Sequence, residues 1–224
     1  MKNIEVVFQL NEIEKIVLEY QNPLDEIKKI NLRLYDPLLE IDCCYEGLIR
    51  FTDKHQSILL SDESIRDEMQ SFTILLRKAL ENELSLDTSI NEDIGFMYNQ
   101  YDYLFWTKDS IVVDDFVHEL SETTPVWVGM RYQLWMTKKY VTWLYNDNNG
   151  LIIFEVTPLY PFSYRNSSKE QDYITYKKWI KNYKSCLTRT ISREVAQQWF
   201  EQANKIEIQI ADNIERWQRE GRKN

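Results

Sequence analysis

Cysteine is scarce in this chain. There are three, Cys43, Cys44 and Cys186, and none stands in a CxxC or Cys/His spacing. Neighbours on a strand point to opposite faces, so Cys43 and Cys44 do not readily share a ligand. The reading is reduced, structural thiols and no zinc site. Histidine is scarcer still, with only His55 and His118. Five glycines and five prolines leave no flexible linker and no low-complexity segment. The glycines at 47, 95, 129, 150 and 221 are isolated, so no Gly-rich phosphate loop exists. The GxSxG, HExxH, EF-hand and kinase signatures are missing as well. No stretch approaches the roughly 18 uncharged residues of a membrane span. The opening MKNIEVVFQLNEIE lacks an apolar core for export. These absences lead to the expectation of a cytoplasmic protein with no membrane partner and no cofactor.

What the chain does have is size, aromatic residues and acid. Its 224 residues, 43% hydrophobic, are enough for one large core or two small ones. The richest stretch is Val126 to Tyr164, where ten of 39 residues are Phe, Tyr or Trp against 13% overall. Val126, Val128, Met130, Tyr132, Leu134 and Met136 alternate, which predicts one long strand. Thr137-Lys138-Lys139 can turn the chain into a second strand, Tyr140 to Tyr145. Asn146 to Gly150 is a turn by composition, because Asn, Asp and Gly tolerate positive φ. Leu151 to Thr157 is a third strand, ended by Pro158 and Pro161. The segment reads as an antiparallel meander.

Ahead of it, Ile4, Val6, Phe8 and Leu10 alternate as a strand. Residues 12–20 fit either a helix face or a strand through Ile16, Leu18 and Tyr20. Asn22-Pro23 resembles a short helix start. Alternation resumes at Ile30 to Leu34 and Leu39 to Tyr45, then at Leu48 to Phe51 and Ile58 to Leu60. A helix over about 62–83, capped by Ser61, carries Ile65, Met69, Phe72, Leu76, Ala79 and Glu83 on one face. Phe96 to Thr107 is aromatic and β-like, Ile111 to Val113 suits a short strand, and Asp114 to Leu120 suits a helical turn. Two helices close the chain, over about 169–187 and about 192–219, the second capped by Ser192. Its stripe, Val195 to Trp217, packs either within the chain or as a coiled-coil dimer; a monomer is the favoured reading. The expected fold is α+β, with an antiparallel meander sheet, the 62–83 helix and the two C-terminal helices. It forms one domain or two packed halves, about 1–86 and 87–224.

Chemistry is hard to locate. His118 follows Asp114 and Asp115 by four and three residues, a one-face spacing on a helix, but no further ligand has a recognisable spacing. No metal is therefore expected. Thirty-six acids leave too many pairs to single out a paired-carboxylate site. Charge distribution says more. Residues 1–125 hold 11 Lys+Arg and 26 Asp+Glu, a balance of −15; residues 126–224 hold 16 and 10, a balance of +6. A chain this acidic is a poor general nucleic-acid binder. The acids concentrate at Asp87, Glu92, Asp93, Asp102, Asp109, Asp114, Asp115, Glu119 and Glu122, with Lys108 the one base among them. Tyr98, Tyr101, Tyr103, Phe105 and Trp106 are interleaved. An acidic surface with aromatic anchors suits a basic protein partner, since charge steers encounter and buried rings hold the complex. The candidate partner-binding residues are thus Asp87, Glu92, Asp93, Tyr98, Tyr101, Asp102, Trp106, Asp109, Asp114, Asp115, Glu119 and Glu122. A basic run, Arg165, Lys169, Lys177, Lys178, Lys181, Lys184, Arg189 and Arg193, reads as a counterpart to the acidic half, a solvated face or a nucleic-acid patch.

With its strand-rich start, capped helix and aromatic meander ending GLIIFEVTPLYPF, the chain resembles bacterial immunity proteins of polymorphic and contact-dependent toxin systems. The likeness lies in the style of the whole chain and carries no residue roles across. It implies a non-catalytic antitoxin that binds one cognate toxin domain, such as a basic nuclease. The alternative from the residues is an enzyme or a sugar or nucleotide binder with an aromatic-lined pocket.

Overall fold

The computed structural model describes residues 3–21, 47–107, 118–120, 125–162 and 172–221. In chain order the elements begin with β1 (Asn3–Gln9), β2 (Lys15–Gln21), β3 (Gly47–Thr52), β4 (Ser57–Ser61), α1 (Ile65–Leu80) and α2 (Ile94–Thr107). Then come β5 (His118–Leu120), β6 (Pro125–Trp127), a 3-10 turn (Val128–Tyr132), β7 (Gln133–Met136), β8 (Tyr140–Asn146) and β9 (Ile152–Pro158). The chain closes with α3 (Tyr176–Trp179), a second 3-10 turn (Ile180–Asn182), β10 (Leu187–Ile191) and α4 (Arg193–Gly221). The fold is α+β. The elements divide into two compact units, Met1–Glu81 with Ile191–Asn224, and Asn82–Thr190.

The first unit is an antiparallel sheet in the order β1-β2-β3-β4, with α1 and α4 packed together and α4 against β1. The period of two at Ile16, Leu18 and Tyr20 wins over the helical reading of residues 12–20, because pairing to β1 and β3 buries all three. Phe8, Phe72 and Trp199 form its aromatic centre, with ring centroids 5.3 to 6.4 Å apart. The Trp199 indole N–H donates to the Gln9 carbonyl at 2.9 Å. The α1 stripe from Ile65 to Ala79 is buried as expected, while Glu83 is exposed beyond the helix end. The helix starts later than expected, with Ser64 at its N-cap position. Ser61 instead turns its hydroxyl to the buried Glu68 carboxylate. In α4 the stripe Trp199, Ala203, Ile206, Ile210 and Ile214 is buried within this chain, and Ser192 caps the helix through the Val195 N–H at 3.2 Å.

The second unit carries the order β10-β9-β8-β7. The meander is present, with β8 and β9 in register from Tyr140↔Pro158 to Asn146↔Ile152. Its first strand is not continuous. The 3-10 turn Val128–Tyr132 separates β6 from β7. Gly129 lies so close over the Trp127 ring that a Cβ there would meet ring carbon at 2.4 Å. Consecutive burial of Trp127, Val128 and Gly129 overrides the alternation. Three further expectations are corrected. Residues 96–107 are helical, not β-like. His118–Leu120 is a strand paired with Pro125–Trp127, not part of a helical turn, while Asp114 and Asp115 lie outside the described residues. In place of the expected helix over 169–187, described from residue 172, there are two short helical turns and then β10, because Leu187 buries beside β9. The expectations at 22–45 and 111–113 lie outside the described residues.

Candidate functional site

Helix α2 organises the second unit. It is aromatic and almost uncharged, so local sequence does not define one face. Tertiary contacts do. Gly95 faces β9 so closely that a Cβ would fall 2.3 Å from Thr157 Oγ1. Four residues on, the buried Asn99 side chain donates to the Gly95 carbonyl at 2.7 Å and to the Pro158 carbonyl at 2.9 Å. Its oxygen accepts the Tyr160 N–H at 2.9 Å. The next exposed-to-buried step places Tyr98 edge-on to Trp143 at 5.5 Å, and Tyr101 stacks on Trp127 at 5.8 Å. Further along, Tyr103 lies flat on Tyr176 at 4.2 Å.

The N-terminal end of α2 holds a hydroxyl–carboxylate cluster. Asp93 caps the helix by accepting the Phe96 N–H on Oδ1 at 2.9 Å. The same oxygen accepts the Tyr183 hydroxyl at 2.5 Å. Ser185 Oγ lies 2.6 Å from Asp93 Oδ2 and 2.8 Å from Glu155 Oε1. Glu155, in β9, is 5% exposed and also receives Thr188 on Oε1 at 3.2 Å and Tyr145 on Oε2 at 2.9 Å. Burial, and then the Asp93 charge, push the Glu155 carboxyl above the usual carboxylate range, against the lowering effect of its hydrogen bonds. Burial pushes the Tyr145 and Tyr183 phenols up as well, with the carboxylates adding to it, so both remain hydrogen-bond donors.

The C-terminal end of α2 is different in kind. Phe105 and Trp106 are 44% and 47% exposed and meet edge-on at 5.2 Å. Trp106 donates its indole N–H to Asp102 at 3.0 Å, and Tyr101 extends the ring cluster to Phe105 at 6.1 Å. Between Asn82 and Thr107 the sequence has five carboxylates and no lysine or arginine. An exposed aromatic pair beside a carboxylate, on a stretch of sequence rich in acids and without lysine or arginine, has the make-up of a binding patch for a cationic surface.

Comparison with protein-family models, with curated proteins and with solved structures finds no match for this chain.

The described members of the expected partner-binding set have different surroundings. Asp87 belongs to a turn, accepting the Ser89 N–H and hydroxyl at 2.9 and 2.7 Å with Arg131 4.0 Å away. Asp93 is committed to its cap and to Tyr183 and Ser185. Tyr98 is core. Tyr101 is half-buried against Trp127. Glu92, Asp102 and Trp106 keep exposure, and Phe105 joins them. Glu119 stands in β5 opposite Val126. Asp109, Asp114, Asp115 and Glu122 lie outside the described residues. Glu155, Ser185 and Thr188 were not legible in the sequence because their partners are 10 to 92 residues away. A carboxylate inside the apolar run LIIFEV is the one local signal that pointed to Glu155. No helix among the described residues is long and apolar enough to cross a membrane. Among them, no group of three or more His, Cys, Asp or Glu is placed to hold a metal ion.

Proposed function

We propose that this protein is a binding protein that docks a basic protein domain against the last two turns of α2, and that it acts as an inhibitor of the immunity type. The observation that carries the reading is the exposed Phe105–Trp106 pair beside Asp102, at the end of a stretch with five acids and no base. Aromatic side chains supply hot-spot energy when a partner covers them, and an excess of carboxylates favours a cationic partner. The resemblance to bacterial immunity proteins supplies the partner class, a cognate toxin domain such as a nuclease, whose anionic substrate favours a basic surface.

The test starts from the reading frames beside the gene for this chain, among which the reading expects a basic toxin-like domain that binds it; no binder among them would count against the reading. Binding is measured by calorimetry against the wild type and against Phe105→Ala/Trp106→Ala, after circular dichroism confirms folding. A loss of at least about 2 kcal/mol in the double variant is expected for a hot-spot pair. Binding that is unchanged in the folded double variant would move the interface away from α2.

A further inference from the structure

The cluster at the start of α2 has more acceptors than donors. Ser185 Oγ approaches a carboxylate oxygen on each side, Asp93 Oδ2 at 2.6 Å and Glu155 Oε1 at 2.8 Å. A serine hydroxyl has one proton to give. Tyr183 supplies Asp93 Oδ1, Tyr145 supplies Glu155 Oε2 and Thr188 supplies Glu155 Oε1, so no other hydroxyl proton serves the Ser185 contacts. With both carboxylates ionised, one of the two short Ser185 contacts sets oxygen lone pairs against each other. With one carboxyl proton present, every contact is a hydrogen bond. Ser185 then donates to Asp93 and accepts from the protonated Glu155.

We infer that Asp93, Ser185 and Glu155 form a one-proton latch that fastens the start of α2 and the 183–188 segment to strand β9, and that opens as pH rises. Relative exposure assigns the proton. Glu155 is buried and Asp93 is exposed, so the uncharged form costs less at Glu155. The titratable groups facing Glu155 are Asp93 from the start of α2, Tyr145 from β8 and Tyr183 from the segment before β10. Asp147, in the loop after β8, acts on Tyr145 and adds further negative charge. Arg189, the next residue on β10, is the cation of that strand, and its guanidinium donates to the Thr188 carbonyl at 2.8 Å. Ionising Glu155 thus sets a second negative charge beside Asp93, and Ser185 can then serve only one of them. A shifted carboxyl of this kind is linked to stability. Its contribution is fully present below the unfolded carboxylate value of 4.5 and is lost as pH rises through the folded value, which lies higher. The latch concerns how α2 is held and stands whether or not the far end of the helix docks a partner.

The experiment is a pH titration of the whole protein by NMR. The side-chain carboxyl carbon of Glu155 reports its proton, and hydrogen exchange of the Phe96 amide, corrected for intrinsic rate, reports the latch. Glu155 is expected to titrate above 4.5. Phe96 protection should fall about three- to tenfold across that titration, the worth of one intramolecular hydrogen bond. Glu155→Gln keeps an amide donor toward Ser185 and should hold Phe96 protection constant over the same range. Ser185→Ala removes the bridge and should abolish the coupling between the Glu155 titration and Phe96 exchange. Titration of Glu155 at the ordinary carboxylate value, or Phe96 exchange indifferent to it in the wild type, would overturn the inference. So would Ser185→Ala retaining the coupling.

Discussion

Glu68 shows most plainly what one misplaced charge does in the first unit. It occupies the first turn of α1 yet is buried, its carboxyl taking the Ser61 hydroxyl. Desolvation pushes it up to about 7, with Glu63, Asp67 and Asp62 adding to the rise against the Ser61 hydrogen bond. Because the folded value exceeds the unfolded one, the folded state holds the extra proton. Stability should therefore be complete below about pH 4.5, decline as pH rises to about 7 and level off above it. Glu68→Gln removes this decline. At pH 8 the variant should be more stable than the wild type by on the order of 2 to 3 kcal/mol, measured by urea unfolding, with the difference closing at pH 4. A difference that is constant across pH would place the titration elsewhere. At this scale the sequence was legible where a residue answers to its neighbours: the alternation through Phe8, Ile16 and Leu18 forecast the core. It was not legible at Glu155 or Ser185, whose surroundings are assembled from β8, β9 and the segment before β10.

Helices α2 and α4 show the two ways an element can be specified. In α4 the stripe from Trp199 to Ile214 repeats every three or four residues among charged neighbours, so the period alone predicts the buried face. Trp199→Ala should cost about 3 to 5 kcal/mol in unfolding free energy, through lost burial and the cavity left between Phe8 and Phe72. A cost under about 1 kcal/mol would mean the stripe is not core. In α2 the aromatic residues have high strand propensity and surround the helix, which hides its period. The hidden signal is Asp93 as cap, followed by Ile94, Tyr98, Tyr101 and Phe105 at spacings of four, three and four. Tertiary packing then decides, through Gly95 and Asn99 against β9. Asn99→Ala strips partners from the Pro158 carbonyl and the buried Tyr160 N–H. It should destabilise by about 1 to 3 kcal/mol by urea unfolding, and a neutral effect would show that α2 is held by its rings alone. The long strand expected at 126–136 failed for a related reason. Trp127 folds under Gly129, and alternation cannot register a chain that turns back over its own side chain.

For the whole molecule the decisive property is the distribution of charge. The chain carries −9, with −15 in residues 1–125 and +6 in the remainder. Self-repulsion among carboxylates opposes folding slightly, and the proposed use of the acid-rich stretch ending in exposed rings is to attract a cation-rich surface. Charge and rings should then act on different rate constants. Carboxylates steer the encounter over about 10 Å at 0.1 M salt, whereas covered rings slow departure. The most direct measurement is the association rate with the basic domain proposed as partner, by stopped flow, from low to high salt, for the wild type and for Glu92→Gln/Asp102→Asn. The wild-type rate should fall steeply with salt, the variant should be slower at low salt, and the two should converge at high salt. A variant that associates as fast as the wild type at low salt would contradict the proposed steering.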